Sequence, residues 1–228
     1  MNTELNILYE DSDITVVVKP AGIASQSTKG MGDDMVSLLK KHYGRDGAEP
    51  YIGVVHRLDT MVPGVMVYAR SKSAAAALSS QSAAGLMTKR YTVIVKGTPN
   101  PPENRLTDYL IKEDGENISR TGRASDKGAK KAELIYKTVL KRYTEGERIA
   151  RLDIELLTGR HHQIRVQLSH AGIPVFGDRR YGGDMSPLEE RYKGQLGLAA
   201  VELAFTHPRT RKKMQYTHRP EGGLWELV

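Results

Sequence analysis

Several short stretches of the chain alternate between apolar and polar residues with a period of two, the pattern of β-strands that bury one face. Residues 5–10 and 14–20 flank an acidic turn and are predicted to form a hairpin. Two further antiparallel pairs are predicted, one turning near Glu145 and Gly146 and one turning at residues 207–209. Shorter strands are expected at residues 52–55, 65–69 and 89–97.

Helical periodicity and capping residues predict three helices, at residues 33–44, 71–85 and 161–172, each with a glycine at its end. Residues 98–130 are polar and rich in Gly, Pro and Asn, so we expect loops there with at most a small hairpin. Strands lie beside strands more often than they alternate with helices. The pattern therefore predicts an α+β fold with a largely antiparallel, mixed central β-sheet flanked by helices, in a single domain covering residues 1–228.

Composition narrows the class of protein. The 228 residues include no cysteine, which excludes disulfides, thiolate metal sites and a cysteine nucleophile. The first residues lack the basic and apolar regions of a signal peptide. Apolar runs fall far short of the roughly 20 residues that span a bilayer. We therefore expect a cytoplasmic protein with no membrane partner.

The net charge of +7 suggests a polyanionic partner, because Lys and Arg release counterions from phosphate backbones. The excess is spread through folded sequence, and its largest part falls in residues 140–228, which carry 15 basic and 11 acidic side chains. This distribution fits a broad binding surface. On charge alone, a moderately basic protein with a solvated exterior fits equally well.

Asp59 closes the sequence His-Arg-Leu-Asp, directly after a short apolar strand and shortly before a Pro-Gly pair. A carboxylate at the end of a buried strand is a candidate nucleophile or general base if its surroundings keep it ionised. The alternative is a structural aspartate that caps a turn.

Arg160 and Arg165 lie at the start of the third predicted helix, after Gly159. A glycine there lets the backbone approach a ligand, and a helix N-terminus favours an anion. His161 and His162 raise the question of a metal, but adjacent histidines face different ways and no carboxylate follows at helical spacing. The alternative is a solvated basic helix.

Two more segments combine basic and aromatic residues. Tyr91 follows two basic residues at the start of a strong strand, where it belongs either to the core or to a surface on which a base stacks. Arg179 and Arg180 lie in a glycine-bounded turn that ends in an aromatic residue.

The motifs occur in a characteristic order: HRLD at residues 56–59, KRY at 89–91 and TGRHHQIR at 158–165, followed by GDRRYGG at 177–183. A strand pair ending in the turn KPAG precedes them. With these motifs the chain, from about Ile7 to Val228, resembles the RluA family of RNA pseudouridine synthases. The resemblance implies the catalytic fold of that family, with a central RNA-binding cleft, in a minimal member that lacks the family's N-terminal RNA-binding domain.

The resemblance also implies roles for individual residues. Asp59 would be the catalytic aspartate, which attacks the uridine so that the uracil detaches, rotates and rejoins through carbon. Arg165 would pair with this aspartate. Tyr91 would stack on the flipped base and take part in a proton transfer. Arg57 would fill the gap that the flipped nucleotide leaves.

His56 and Arg160 would support the site or contact phosphate, and Arg179 and Arg180 would bind RNA at the cleft. The implied activity is the isomerisation of specific uridines in an rRNA or tRNA stem-loop by a monomeric enzyme. A base must leave its stack for such chemistry. We expect neither a metal nor an organic cofactor, because the reaction involves no net redox change.

The chain departs from the family pattern between Asp59 and Gly64, where Val62 and Pro63 replace the usual Thr and Ser. The change removes two hydroxyls near the proposed nucleophile. It favours one alternative function, an RNA-binding protein with the same fold and lost or weakened catalysis. A metal-dependent nuclease built on His161 and His162 is a third hypothesis, which the ligand spacing argues against.

Overall fold

The structure is a computed structural model that describes residues 4–27, 34–44, 49–113 and 115–228. The chain divides into two compact units. The first contains residues 1–89 and 200–220, and the second contains residues 90–199 and 221–228. The single domain expected over residues 1–228 stays a prediction.

The first unit is a sheet with two helices. Its strands are β1 (Asn6–Glu10), β2 (Ile14–Lys19), β3 (Gly53–Val54), β4 (Gly64–Ala69), β10 (Leu198–Thr206, in this unit from Ala200) and β11 (Lys213–Thr217). They follow the order β1-β2-β4-β10-β11, and β3 also pairs with β4. Of the pairings described, the one between β10 and β4 is parallel and the others are antiparallel. Both predicted hairpins of this unit are confirmed.

The core of the first unit lies on one face of this sheet. Alternate residues of β2 and β4 point into it, among them Val16 and Val67, and Leu203 and Phe205 of β10 pack beside them. Helix α2 (Lys72–Ala83) covers this face with Ala74 and Leu78. Period-two alternation in the strands and small residues on the helix thus produce one apolar layer between sheet and helix.

Two helices of the first unit begin at side-chain caps. Asp34 accepts a hydrogen bond from the N–H of Ser37 and starts helix α1 (Met35–Tyr43), and Ser71 starts α2 in the same way. Both helices were predicted, α1 from its acidic start, its lysines and Gly44, and α2 from its alanines and Gly85. The predicted first residue of α1, Asp33, lies outside the described residues.

Asp11, Asp13 and His207 place one ligand atom each within 4.8 Å of one another, an arrangement that could hold a metal ion. Each of these side chains already has a protein partner, which for Asp13 is the guanidinium of Arg209. One Asp11 oxygen accepts from the N–H of Asp13 and Ile14, and the other accepts from Tyr9 and His207. The cluster is therefore a hydrogen-bonded network that ties the turn after β1 to the turn after β10.

The second unit is built on a five-stranded antiparallel sheet in the order β5-β9-β8-β6-β7. Its strands are β5 (Thr88–Lys96, in this unit from Arg90), β6 (Glu103–Lys112), β7 (Ser119–Gly122), β8 (Lys130–Thr144) and β9 (Glu147–Leu156). The predicted turn at Glu145 and Gly146 is confirmed, with both residues at positive φ.

Residues 98–130 contain the hairpin that the sequence allowed, with longer strands than a small hairpin would have. The structure places β6 and β7 there, and they form a hairpin beside β8. Strand β6 carries few apolar residues and its first half is exposed, so its sequence resembles that of a loop. Pairing with the long β8 satisfies its backbone instead, a contact between residues 20 to 34 positions apart that local sequence does not reveal.

Three helical segments complete the second unit: α3 (Gln163–His170), α4 (Pro187–Arg191) and a 3₁₀ turn (Gly223–Leu227). Helix α3 packs Val166 against Leu110 and Ala132. Leu188 and Leu224 pack with Phe176 over Ile94 and Ile149 of the sheet. The last two segments were not predicted from sequence, whereas α3 was, although it begins at Gln163 rather than at residue 161.

The observed elements confirm an α+β fold with a mixed, largely antiparallel sheet and few helices. Within the described part of the chain, no helix is long and apolar enough to cross a membrane.

Gly64 offers a test of the register between β4 and β10. Its φ is +139°, and a Cβ there would lie 2.2 Å from the carbonyl oxygen of Ala200. We expect Gly64→Ala to lower the free energy of unfolding by about 3 kcal/mol, since backbone strain and a main-chain clash act together. Urea unfolding measures this change.

The control is Gly85→Ala. Gly85 has a φ of +69°, but a Cβ added to it would meet no atom within 4 Å, so only backbone strain of about 1 kcal/mol is expected. Equal losses in the two variants would contradict the close approach of the strands.

Candidate active site

The HRLD motif forms a loop of the first unit between β3 and β4. Leu58 and Val62 are buried and anchor the loop, whereas Arg57 is exposed and Asp59 is half-buried. The N–H of Val62 donates to the carbonyl of Asp59 at 3.0 Å and closes a turn. The loop therefore presents a carboxylate between two apolar anchors.

Ser25 fixes the residue that precedes Asp59. Its buried hydroxyl donates to the carbonyl of Leu58 at 2.9 Å and accepts from the N–H of Leu58 at 3.0 Å. The hydroxyl of Tyr68, from β4, donates to the Ser25 carbonyl at 3.1 Å. One buried side chain thus satisfies both polar groups of Leu58, and β4 holds that side chain in place.

Lys19 fixes the residue that follows Asp59. Its side chain is fully buried at the end of β2, and Nζ donates to the carbonyls of Pro20, Ile23 and Thr60 at 2.7–3.0 Å. Burial lowers the pKa of Lys19 to about 8, against the opposing effect of the Asp59 carboxylate. An ammonium group therefore lies within electrostatic reach of the proposed nucleophile.

His56 is held by the backbone of β4, where the N–H of Val67 donates to its Nε2 at 3.1 Å. Burial and the neighbouring Lys89 ammonium lower the pKa of His56 to about 3. The imidazole is therefore neutral, with its proton on Nδ1. This arrangement gives His56 a positioning role in the loop, and the phosphate contact expected from sequence stays a prediction.

The departure from the family pattern has a structural basis. Val62 fills an apolar position in the interior, and the carbonyl of Pro63 accepts from the N–H of Ala200 at 2.9 Å. The N–H of Gly22 and Lys19 Nζ both donate to the carbonyl of Thr60. Main-chain groups hold this loop, so its conformation does not depend on hydroxyls at residues 62 and 63.

Tyr91 lies in the second unit, where β5 places it opposite Ile154 of β9. Its side chain is 8% exposed. Such burial fits both interpretations offered by the sequence, a core residue and a ring at the floor of a binding site.

Arg165 lies in α3 and forms a bidentate ion pair with Asp178. Its Nε donates to Oδ2 at 2.7 Å, and its Nη2 donates to Oδ1 at 2.8 Å. Asp178 is buried and Arg165 nearly so. The ring of Tyr181 lies 5.1 Å from the guanidinium carbon. Asp178 thus binds one edge of the guanidinium, and the guanidinium lies over the ring of Tyr181.

The two histidines of the third motif are stacked, with ring centroids 3.8 Å apart. His161 contacts Ser119 Oγ and Asn117 Oδ1, each at 2.8 Å, and His162 Nδ1 contacts the hydroxyl of Tyr181 at 2.8 Å. These contacts attach the start of α3 to the region of β7. They give the histidines a structural role, which weakens the metal-dependent nuclease hypothesis.

The remaining arginines of the prediction are exposed. Arg160 donates through Nε to the carbonyl of Lys131, and the main chain of Arg160 donates to Gln163. Arg180 donates to the carbonyl of Asn117, and Arg179 lies 3.8 Å from Glu190. Their cationic groups lie at the surface, as a phosphate contact requires.

The structure places the predicted residues in two groups. Asp59, Arg57 and His56 share one loop of the first unit. Tyr91, Arg160, Arg165, Arg179 and Arg180 belong to the second unit. The pairing of Arg165 with Asp59 stays a prediction.

A family model described as RNA pseudouridylate synthase matches residues 13–170. The chain belongs to this family. The match contains Asp59, Tyr91 and Arg165, and it confirms the resemblance on which the sequence analysis relied.

Individual relatives agree with the family assignment. The chain is 35% identical over 215 residues to an RNA pseudouridine synthase of Aquifex aeolicus named as uncharacterized, covering 91% of this chain and 66% of the relative. It is 31% identical over 212 residues to ribosomal large subunit pseudouridine synthase C of Buchnera aphidicola, covering 92% and 65%. The chain therefore spans about two thirds of the length of these relatives.

The fold also has a solved counterpart. The structure of human RNA pseudouridylate synthase domain containing 1 matches with a TM-score of 0.77 and 22% identity, over 95% of this chain and 84% of the other. At this identity the likeness concerns the fold.

The residues that hold the motif side chains in place were not predicted from the sequence. Lys19 and Ser25 hold the HRLD loop, and Asp178 and Tyr181 hold Arg165. One signal was available: a lysine ends the otherwise apolar strand β2, where a buried charge requires a specific partner.

The neutral state of His56 predicts a pH dependence of stability. The unfolded chain takes up a proton at this residue near pH 6.5, whereas the folded chain does so near pH 3. The unfolded state thus binds more protons between these values, and stability present above pH 6.5 is lost as the pH falls. We expect wild type to lose about 2 kcal/mol more than His56→Gln between pH 7 and pH 5 in urea unfolding.

The glutamine keeps an acceptor for the N–H of Val67, so the hydrogen bond is retained without the titrating group. Equal losses of stability in wild type and variant would show that His56 is charged in the folded chain at pH 5.

Proposed function

We propose that this chain is an RNA pseudouridine synthase in which Asp59 is the nucleophile. The observation that carries the proposal is the HRLD loop, in which Ser25 and Lys19 fix the residues on either side of a half-buried carboxylate. An exposed arginine, Arg57, lies two residues away. A fixed carboxylate beside a surface cation suits attack on a nucleotide extruded from RNA.

The reaction balances within one nucleotide. The bond between N1 of uracil and C1′ of ribose breaks, and a bond between C5 and C1′ forms. C5 loses its proton and N1 gains one. Asp59 would add to the sugar or to the base and be released at the end. No oxidant, reductant or transferred group enters this balance.

Arg165 and Tyr91 complete the proposed catalytic set. A guanidinium remains charged across the working pH range, so Arg165 suits a lasting electrostatic partner for a carboxylate. The nearly buried ring of Tyr91 would stack on the extruded uracil and take part in the proton transfer. Both roles follow from the family motifs.

The RNA would be bound by the exposed cations of the second unit, Arg160, Arg179 and Arg180, together with Arg57 of the first. We propose rRNA as the substrate ahead of tRNA, because a relative is named for the ribosomal large subunit. A cytoplasmic location and a monomeric state complete the proposal.

The test uses rRNA and tRNA from a strain that lacks the protein. Incubation with the purified chain, followed by carbodiimide treatment and primer extension, is expected to produce new stops at defined uridines. Asp59→Asn should lower the rate at those uridines by at least about a thousandfold, since the nucleophile is lost. Binding of the RNA should remain.

Asp153→Asn is the matched control, because this exposed carboxylate lies on the face of β9 opposite to the one that Ile154 shares with Tyr91. Its rate should equal that of wild type. Tight RNA binding by wild type without new stops would support a binding protein that has lost catalysis.

Arg57→Ala tests the role in flipping. If this arginine fills the gap left by the nucleotide, its loss should matter most where neighbouring bases are stacked. We expect the rate on a duplex-like target to fall at least about tenfold more than on an open loop of the same sequence. Single-turnover rates on the two RNAs give the comparison, and equal losses would argue against flipping support.

A further inference from the structure

Asp178 is a buried carboxylate for which the proposed reaction has no direct use. It accepts four hydrogen bonds within the second unit: two from the Arg165 guanidinium, and one each from the N–H of Arg180 at 3.0 Å and of Tyr181 at 3.1 Å. Such saturation of one buried side chain indicates a specific structural task.

We propose that Asp178 is the positioning residue of Arg165, fixing the direction in which its guanidinium presents the remaining N–H groups to the reacting nucleotide. The inference rests on the proposed function, because it assigns Arg165 a partner in that reaction. It adds a residue outside the predicted catalytic set and outside the matched segment 13–170.

The geometry of the pair supports this role. A guanidinium has five N–H donors in a planar fork, and Asp178 uses the edge formed by Nε and one proton of Nη2. The directions of the other three N–H groups, two on Nη1 and one on Nη2, are then determined by the carboxylate. Tyr181 lies beside the guanidinium and restricts its rotation about the remaining bonds.

The electrostatics point the same way. Although burial opposes it, the guanidinium of Arg165 and two backbone N–H groups lower the pKa of Asp178 below its usual value. Both partners are therefore charged, and the pair as a whole has no net charge. A buried arginine with its own compensating carboxylate is held in place before substrate arrives, so its orientation is already set when the nucleotide binds.

Asp178 also links Arg165 to the turn that carries Arg180. The same Oδ1 that binds Arg165 accepts the backbone N–H groups of Arg180 and Tyr181. Tyr181 in turn contacts His162 and the N–H of Ser119. A variant must therefore separate the guanidinium contact from the turn.

Asp178→Asn separates the two contacts. Its amide oxygen still accepts from the backbone N–H groups of the turn, while the negative charge and the bidentate contact with the guanidinium are lost. We expect the single-turnover rate at saturating protein to fall about 10- to 100-fold, as for a misplaced group, with RNA affinity within about threefold of wild type. A loss of affinity with an unchanged rate would assign Asp178 to RNA binding and overturn the proposal.

A double-variant cycle with Arg165→Lys separates positioning from general damage. Lysine cannot form the fork, so Asp178→Asn should have little further effect on the rate in that background. The same fold-loss in both backgrounds would show that Asp178 does not act through Arg165. Single-turnover conditions keep slow variants measurable.

Asp178→Glu covers the case in which the asparagine variant does not fold. It retains the charge, and we expect a smaller loss of rate that also vanishes in the Arg165→Lys background. Asp11→Asn is the matched control, because Asp11 likewise accepts two backbone N–H groups in a turn but contacts His207 instead of an arginine. It should lower stability and leave the rate unchanged.

The cycle distinguishes the two proposals. An active wild type with additive variants would refute the positioning role alone. A wild type that forms no pseudouridine would refute the proposed function and the positioning role that rests on it.

Discussion

The Lys19 ammonium donates three hydrogen bonds to three carbonyls, and the position of Asp59 depends on this contact. A buried lysine is stable only when all its donors are used, so its carbonyl partners are constrained as strongly as the lysine itself. One of them belongs to Thr60, directly after Asp59. Strand β2 thereby transmits the rigidity of the sheet to a loop that has no regular structure of its own.

Much of the fold was predictable because its strands and helices carry their own patterns. Alternation identified β1, β2, β8, β9, β10 and β11, and caps identified α1 and α2. Strand β6 was not predictable, because its polar sequence becomes a strand only when β8 pairs with it. The short helix α4 was not predicted, although Ser186 and Glu189 form a capping box at its start.

The residues of the candidate site also fall into a group that the sequence predicts and a group that it does not. Residues proposed to touch substrate stand in short motifs, so Asp59, Tyr91 and Arg165 were proposed from their order along the chain. The residues that hold the HRLD loop in place are distant from it in sequence: Lys19 contacts Thr60, 41 positions away, and Ser25 contacts Leu58, 33 positions away. Such contacts exist only in the folded chain: the lysine at the end of β2 indicates that a buried charge needs partners, but neither it nor Ser25 indicates which residues those partners are.

The loop that follows Asp59 has a consequence for engineering. Main-chain hydrogen bonds and the buried Val62 set its shape, while Thr60 and Met61 face solvent. Side chains at these two positions are therefore open to exchange without a change of backbone. A library limited to residues 60 and 61 would alter the surface beside Asp59 while preserving its support. If the proposed function holds, this loop is a natural starting point for redirecting the protein to new uridine contexts.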